Sequence, residues 1–225
     1  MIDIKGIDYL VIDRVLSRGT GDILEASEDH LFVYDHVSQA HLLACGDPRM
    51  GVSVLDRFAD RDPRLLMVTD PDLAEIIFEK YGYSEKLKCY QAAWYGGVPE
   101  TDPGLTVRTA DKSDIPLLTS VYHLISPAEM EAVVDRRNLL LGYAGGDPVG
   151  FIGEHLEGSI GMLYVFPEFR RRGYAAALEK ISIAKTVEKG LIPFGQVETD
   201  NLASLALQKK IGMTISEKPQ WWMWK

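Results

Sequence analysis

Cysteine is scarce in this sequence, and its scarcity excludes a disulfide-stabilised scaffold. The 225 residues contain two cysteines, Cys45 and Cys89, both in apolar segments where a buried free thiol is expected. The N-terminal residues 1–8 carry acids where a secretory leader needs a basic start. Both features favour a cytoplasmic location, where thiols stay reduced.

Long apolar runs and an excess of basic residues are also lacking. No stretch approaches the roughly 18 consecutive apolar residues that a membrane-spanning helix needs. Lys and Arg number 24 against 33 Asp and Glu, and the net charge of −9 argues against nucleic acid or a membrane surface as a partner. The hydrophobic content of 46% is ordinary for a globular protein.

Motifs for metals and nucleotides are missing as well. His36 and His41 lie five positions apart with no third ligand in a fitting pattern, so no metal site is expected. The sequence has neither a Gly-x-x-x-x-Gly-Lys-Ser/Thr phosphate loop nor a Gly-x-Gly-x-x-Gly dinucleotide fingerprint. The common nucleotide-binding motifs are thereby excluded.

The most informative segment that is present places three arginines between an apolar strand and a helix. Residues 163–178 read Leu-Tyr-Val-Phe-Pro-Glu-Phe-Arg-Arg-Arg-Gly-Tyr-Ala-Ala-Ala-Leu. The positive end of a helix repels such cations by about 0.3–1 kcal/mol each, and its first N–H groups lack partners. A bound anion would answer both problems, and Gly173 would let it approach the backbone. The segment predicts a phosphate-binding helix N-terminus; the alternative is a solvated arginine loop.

The spacing Arg170-x-x-Gly173-x-Ala175 resembles the Arg/Gln-x-x-Gly-x-Gly/Ala signature of the GNAT superfamily of acyl-CoA-dependent N-acyltransferases. Downstream, residues 197–204 and 210–213 resemble the second CoA-binding segment of that family. The resemblance extends over residues 105–225, and the Pro-Glu-aromatic-Arg run is most similar to the glycine N-acyltransferase-like branch.

This resemblance implies acetyl-CoA or another acyl-CoA as co-substrate. It places the pyrophosphate on backbone N–H groups of residues 171–176 and the pantetheine arm along the preceding strand. The alternative for Asn201 is a helix N-cap. The residues that the resemblance assigns to CoA are Leu163, Val165, Arg170, Arg171, Arg172, Gly173, Tyr174, Ala175, Asn201 and Ser204.

The same resemblance places the general base at Ser159, whose hydroxyl cannot act as a base alone. If the neighbouring hairpin has a two-residue loop, Glu154 shares the face of Ser159, Glu157 lies in the turn, and His155 points to the opposite face. We therefore expect Glu154 or Glu157 to serve as base, with His155 ranked third. The alternative is that these are surface hairpin acids.

A second catalytic group of the family is often a tyrosine, but Gln208 stands at that position here. Thiolate protonation would then come from water or from Tyr164, or would not be needed. Trp221, Trp222 and Trp224 are either part of an acceptor pocket or, as is more usual, sheet residues.

The order of predicted elements after the Pro- and Gly-containing linker 98–104 is that of the GNAT fold, with a mixed, mostly antiparallel sheet flanked by helices. We expect an α/β protein with a catalytic domain at 104–225.

A faint repeat predicts that residues 1–103 are a degenerate GNAT-like half. The repeat pairs, at an offset of 130, Pro63 with Pro193, Thr69 with Thr199, Asp70 with Asp200, Lys80 with Lys210 and Gly82 with Gly212. This offset assigns residues 40–45, which lack Gly and Arg, as the counterpart of the arginine loop, so the first half should not bind CoA.

The expected activity is N-acetyl or N-acyl transfer from acyl-CoA to the amine of a small molecule or amino acid, by direct attack in a ternary complex. The alternative is a catalytically inactive CoA-binding sensor or scaffold, which Ser159 and Gln208 keep open. An aminoacyl transferase that uses charged RNA is disfavoured by the net charge. The protein is expected to be a monomer or a homodimer.

Overall fold

A computed structural model of the chain describes residues 2–225. Met1, the first residue of the acidic segment 1–8, lies outside the described residues. The chain forms two compact units. The first unit comprises the chain up to Ala93 together with Gln196–Lys225, and the second comprises Trp94–Gly195.

The elements are numbered in chain order. The helices are α1 Leu10–Ser17, α2 Pro48–Arg57, α3 Pro71–Lys80, α4 Ile115–Val121, α5 Pro127–Asp135, α6 Tyr174–Glu188 and α7 Leu202–Ile211. The strands are β1 Gly21–Ala26, β2 His30–Asp35, β3 His41–Cys45, β4 Leu65–Val68, β5 Glu85–Ala93, β6 Leu105–Thr109, β7 Leu139–Ala144, β8 Asp147–Glu154, β9 Ile160–Val165, β10 Phe194–Glu198, β11 Thr214–Ile215 and β12 Gln220–Trp224.

Strands of the first unit lie in the order β1-β2-β3-β4-β12-β5, with β11 also paired to β5. The C-terminal strand β12 lies between β4 and β5, because Trp222 pairs with Met67 on one side and with Leu87 on the other. The last residues of the chain are therefore part of the sheet that the first 93 residues build. The core of this unit is apolar, and its fully or nearly fully buried members include Phe32, Leu43, Leu66, Val68, Leu73, Ile77, Trp221 and Met223.

In the second unit, β6, β7, β8 and β9 form consecutive antiparallel pairs, and Gly195 at the start of β10 pairs in parallel with Ile160. Helix α6 packs closely on this sheet, since a Cβ atom on Gly142 would lie 2.7 Å from Leu178 Cδ2. The buried apolar residues of one core cluster are Ala110, Leu118, Met130, Val133, Val134, Leu139, Leu141, Phe151 and Met162.

Each unit contains one parallel strand pair joined through a helix. In the first unit β3 and β4 are parallel and α2 connects them, and in the second β9 and β10 are parallel and α6 connects them. All other pairs described above are antiparallel. The predicted fold class is confirmed: helices flank a mixed, mostly antiparallel sheet. The predicted order of elements after residue 104 is also observed.

The compact units divide after Ala93 and after Gly195, whereas the sequence placed a domain boundary after residue 103. That residues 1–103 are a degenerate copy of the second half stays a prediction. One detail of the repeat is wrong, because residues 41–45, assigned as the loop counterpart, form strand β3. The segment that follows β3 and leads into α2 is Gly46-Asp47.

Among residues 2–225, no helix is both long and apolar enough to cross a membrane.

Candidate functional site

Helix α6 begins differently from three other helices of this protein. Helices α2, α3 and α5 each start with proline behind a polar N-cap, and the side chains of Asp47, Asp70 and Ser126 accept backbone N–H groups at 2.9, 2.9 and 3.1 Å. The N-cap of α6 is Gly173, which has no side chain to do so. The N–H groups of the first turn of α6 therefore remain available for an anion.

The backbone of this loop is shaped for such a ligand. Gly173 has φ = 91° and Arg171 has φ = 60°, both in the left-handed region. A left-handed residue next to a right-handed one, as Gly173 is next to the first residue of α6, turns successive N–H groups toward a common concave side that suits anions. A non-glycine residue such as Arg171 adopts this conformation only at some cost in energy, which marks the loop as specialised.

Two of the three arginines are held by neighbouring groups. Arg170 Nε donates to the carbonyl of Val165 at 3.0 Å, and the Arg170 guanidinium lies 5.5 Å from the centroid of the Tyr164 ring. The guanidinium of Arg172 lies 5.6 Å from the centroid of Phe169. All three arginines remain exposed to solvent. The loop thus combines free N–H groups with exposed positive charge, and it fits the pyrophosphate of a CoA ester.

Strand β9, which leads into the loop, contains an irregularity. The pairing register of β8 with β9 shifts between Phe151 and Gly153, and Met162 on the β9 side has φ = 51°. On its other side, the recorded pairing of β9 with β10 is limited to Ile160 and Gly195. Among residues 2–225, the side of β9 that faces β10 therefore pairs with another strand only at Ile160, and the residues after Ile160 have no strand partner on that side. This is the edge on which Leu163 and Val165 were predicted to hold the pantetheine arm, although the Val165 carbonyl already accepts from Arg170.

The hairpin between β8 and β9 has a three-residue loop. His155 N–H donates to Ser159 O at 2.9 Å, Gly158 N–H donates to His155 O at 2.9 Å, and Gly158 has φ = 98°. This is the arrangement of a tight turn followed by a glycine in the left-handed region. The two-residue loop assumed from the sequence is wrong.

The longer loop reverses the predicted faces of the hairpin. Glu154 pairs with Ile160 rather than facing Ser159, and its carboxylate lies 3.9 Å from Lys189 Nζ. His155 is bonded to Ser159, and its imidazole lies over Gly161, where a Cβ atom would be 2.5 Å from Nε2. The placement of Glu154 on the Ser159 face, and of His155 on the opposite face, is therefore wrong.

Ser159 and Glu157 form a buried pair beside this histidine. The Ser159 hydroxyl donates to the Glu157 carboxylate, and the two residues are 1% and 7% exposed. The serine at the position to which the family resemblance assigns the base is thus joined to a carboxylate two residues earlier. Whether either residue acts in catalysis stays a prediction.

Glu129 of α5 completes the cluster, and the sequence did not single it out. Its Oε1 atom lies 3.9 Å from His155 Nδ1, an ion-pair distance that is too long for a hydrogen bond. Burial would lower the pKa of His155, but the carboxylates of Glu129 and Glu157 outweigh it and raise the pKa above 6.5. The only sequence signal for Glu129 is its position three residues after Ser126. A glutamate at that position is also the usual partner of a serine N-cap, so the pattern did not point to the site.

A cavity of about 450 Å³ opens beside the start of α5. Its walls come from the end of α4, from the connection between the two helices and from the first residue of α5. The lining residues are Thr119, Tyr122, His123, Leu124, Ile125, Ser126 and Pro127. The first turn of α5 thus supplies both a wall of this cavity and the Glu129 carboxylate.

The second predicted CoA segment lies in the first unit. Asn201 Oδ1 accepts from the Ser204 N–H at 3.0 Å, so the alternative reading of Asn201 as the N-cap of α7 is confirmed. CoA contact by Asn201 or Ser204 stays a prediction. Gln208 is buried on α7, at 5% exposure.

The tryptophans predicted as either acceptor pocket or sheet residues all lie on β12. Trp221 and Trp222 are buried in the first unit. Trp222 Nε1 donates to Gln196 Oε1 at 2.8 Å. Their place in a strand that pairs on both sides supports the structural reading.

Residues 2–225 contain no group of three or more His, Cys, Asp or Glu side chains placed to hold a metal ion.

Comparisons with known proteins match one family model over part of the chain and support the fold. Residues 147–222 match the family model described as FR47-like protein. That match spans β8, β9, α6 and the segment that continues to β12. No similar sequence is found among curated proteins.

Solved structures extend the likeness over nearly the whole chain. A Drosophila protein superposes with a TM-score of 0.66 at 16% identity, covering 98% of this chain and 90% of its own. A GNAT-family protein from Novosphingobium aromaticivorans gives a TM-score of 0.60 at 16% identity, with 95% of each chain covered. A GCN5-related N-acetyltransferase from Kribbella flavida gives 0.58 at 12% identity, covering 97% and 94%. The chain therefore has the fold found in GNAT-family proteins.

Proposed function

We propose that this protein is an acyl-CoA-dependent N-acyltransferase of the GNAT superfamily. The observation that carries the proposal is the uncapped N-terminus of α6, where Gly173 stands in place of the polar cap found on α2, α3, α5 and α7, and three exposed arginines precede it. Its place at the end of β9, in a fold shared with GNAT-family proteins, supports the same conclusion.

In this proposal the loop binds acetyl-CoA or a related acyl-CoA through its pyrophosphate. The N–H groups of residues 171–176 donate to the phosphate oxygens, and Arg171 and Arg172 add positive charge. Arg170 fastens the loop to the end of β9 through the Val165 carbonyl and the Tyr164 ring. The edge of β9 beyond the Ile160–Gly195 pair offers Leu163 N–H and C=O groups to the pantetheine arm.

The chemistry asks little of the protein beyond binding and orientation. An amine nitrogen attacks the thioester carbonyl carbon, the C–N bond forms, and the C–S bond breaks with its electron pair leaving on sulfur. Holding the two substrates together supplies much of the acceleration. One proton must leave the nitrogen, so a base or a water chain must stand beside it.

The finer parts of the proposal are the acceptor, the branch and the location. We propose a small-molecule or amino-acid amine as acceptor, membership of the glycine N-acyltransferase-like branch because of the run Pro167-Glu168-Phe169-Arg170, and a cytoplasmic location because both cysteines are buried free thiols. The α4–α5 cavity of about 450 Å³ is the place we assign to the acceptor.

A CoA-binding sensor without catalysis is the second candidate. One observation favours it: Ser159, at the position of the family's base, is buried and bonded to Glu157 rather than poised as a base. Release of free thiol in the presence of amines separates the two, because only the enzyme produces it.

Calorimetric titration with acetyl-CoA tests the binding site. Gly173→Asp adds a carboxylate and a strained backbone at the proposed phosphate site, and should lower acetyl-CoA affinity at least about 100-fold. Gly190→Asp is the matched control, because Gly190 also has positive φ, 72°, and open space around it, but lies past the other end of α6. Equal affinity in the two variants would contradict the site.

A further inference from the structure

The buried cluster at the β8–β9 hairpin has a histidine that phosphate binding does not use. The following inference rests on the proposed function and names the base for its reaction. We propose that His155 is the general base of acyl transfer and that Glu129 positions its imidazole.

The hairpin places His155 beside the buried pair of Ser159 and Glu157. The three-residue loop bonds His155 to Ser159, so the imidazole lies on the same face of the hairpin as Ser159. A glycine at 161 is what permits this, because a Cβ atom there would stand 2.5 Å from His155 Nε2 and 2.6 Å from Cδ2. The ring therefore lies directly over strand β9, one residue before its irregular Met162.

The orientation of the imidazole leaves Nε2 as the nitrogen that can accept a proton. Nδ1 is 3.9 Å from the Glu129 carboxylate, and the attraction between that negative charge and an N–H group favours the tautomer with the proton on Nδ1. Nε2 then carries the lone pair and faces β9. Glu129 lies in the first turn of α5. The same turn contributes Ser126 and Pro127 to the α4–α5 cavity.

Charged groups reach His155 from two elements. Glu129 comes from α5, and Glu157 comes from the hairpin loop with its carboxylate accepting the Ser159 hydroxyl. Glu154, next in sequence, lies on the other face and is directed to Lys189. The two carboxylates raise the pKa of His155, so a larger fraction of the imidazole is protonated at neutral pH and activity should increase as the pH rises above 6.5.

The other candidates are less well placed for the proton. The Glu157 carboxylate is buried and already accepts a hydrogen bond from the Ser159 hydroxyl. The Ser159 hydroxyl is engaged with that carboxylate and cannot take a proton by itself. The His155 side chain is 29% accessible to solvent, whereas Glu157 is 7% and Ser159 1% exposed.

In the proposed step a neutral amine enters beside Nε2. As the C–N bond forms at the thioester carbonyl carbon, one N–H proton passes to His155 Nε2. The C–S bond breaks, its electron pair leaves on the CoA sulfur, and the imidazolium returns its proton to that thiolate directly or through water. The products are the amide, free CoA and the original histidine.

The test compares rate, binding and histidine titration in one set of full-length variants: His155→Gln, Glu129→Gln and Glu131→Gln. Glu131 is the matched control, since it is an exposed glutamate on the same helix two positions away. Three measurements are made on each: thiol release against pH, acetyl-CoA affinity by calorimetry, and His155 titration by NMR on imidazole-labelled protein without substrate.

We expect His155→Gln to lose about 100-fold or more in kcat while acetyl-CoA affinity changes less than about twofold. Glu129→Gln should shift the NMR titration of His155 and the ascending limb of the rate profile to lower pH by the same amount, whereas Glu131→Gln should shift neither. A merely structural glutamate would lower the rate at every pH without moving the titration.

Two results would overturn the inference: a His155→Gln variant that keeps its rate, or a rate profile that stays in place while the His155 titration moves. Failure of the wild type itself to bind acetyl-CoA would instead overturn the proposed function on which the inference rests. The NMR comparison of Glu129→Gln with Glu131→Gln would still decide whether Glu129 holds the imidazole.

Discussion

Left-handed backbone conformations occur at four single residues around strand β9. Gly158 and Met162 lie in and just after the hairpin, and Arg171 and Gly173 lie in the loop before α6. For Met162 and Arg171 this conformation costs about 1 kcal/mol or more each, since their Cβ atoms crowd the following carbonyl. Such strain is retained where the surrounding structure imposes it, and it commonly marks functional sites.

The glycine beneath His155 allows a prediction at one residue. Gly161→Ala should displace the imidazole, because the new Cβ would lie 2.5 Å from Nε2, and thiol release should fall by about 100-fold. Acetyl-CoA affinity should be unchanged. Gly97→Ala, at a glycine of the same unit with open space around it, is the control. A Gly161→Ala enzyme as fast as the control would show that the ring position is irrelevant.

A second residue-scale prediction concerns stability. His41 is 5% exposed, and burial together with the nearby Arg61 charge lowers its pKa to about 4 from 6.5. The unfolded chain therefore binds a proton more readily than the folded one between these values, and the free energy of unfolding should fall as the pH decreases from 6.5 to 4, by about 3 kcal/mol in all. Urea unfolding across this pH range measures it. His41→Leu should have a visibly shallower pH dependence, and an unchanged slope would contradict the assignment.

Helix starts differ between the two strand–helix–strand elements of the protein. Helix α2 has a carboxylate cap, since Asp47 accepts from Arg49 N–H at 2.9 Å, whereas α6 is uncapped. A carboxylate at the α2 start satisfies an N–H group that a phosphate would need and repels the phosphate as well. This difference supports the prediction that the first half does not bind CoA, for a different reason from the one inferred at residues 40–45.

The α2 cap can be tested by substitution. Asp47→Ala should lower the free energy of unfolding by about 1 kcal/mol and leave acetyl-CoA affinity unchanged. Asp70→Ala, which removes the corresponding cap of α3, should cost a similar amount. Denaturant unfolding and calorimetry measure the two effects. A change in acetyl-CoA affinity beyond about threefold in Asp47→Ala alone would indicate that α2 takes part in binding.

At this scale the sequence predicts elements well and their fine geometry poorly. The start of α6 was predictable, because Gly173 separates the arginines from an apolar helical pattern. That this start binds an anion stays a prediction. The hairpin was not, because Glu157-Gly158 suits a two-residue or a three-residue loop equally, and one residue of difference exchanges the faces of Glu154 and His155. Glu129 was hidden because only the folded chain brings α5 to His155.

On the scale of the whole molecule, the C-terminal strand is the feature that local sequence could not reveal. Strand β12 belongs by sequence to the predicted catalytic domain 104–225, but it pairs with β4 and β5 of the first unit. The consecutive apolar residues 221–224 predict a buried strand but do not identify the strands that pair with it. Trp221 and Met223, 2% and 0% exposed, therefore stabilise a core built mostly from the first 93 residues.

This topology predicts that residues 104–225 do not form a stable protein alone. The fragment would expose Trp221 and Met223, each worth about 1.5–3 kcal/mol of burial, and would leave β12 without either neighbour. We expect no cooperative thermal transition by circular dichroism. Mixing with residues 1–103 should restore one, and a fragment that unfolds cooperatively by itself would contradict the prediction.

The central claim is that the α6 start and the β9 hairpin together support acyl transfer to an amine. The most direct measurement is thiol release from acetyl-CoA by the wild-type protein against a panel of amino acids, polyamines, aminoglycosides and peptides, with mass spectrometry of the acceptor. The account predicts amine-dependent release of free CoA matched one-to-one by an acetylated product, and loss of both in Gly173→Asp but not in Gly190→Asp. Tight acetyl-CoA binding with no amine-dependent thiol release from any acceptor would contradict it and favour the sensor.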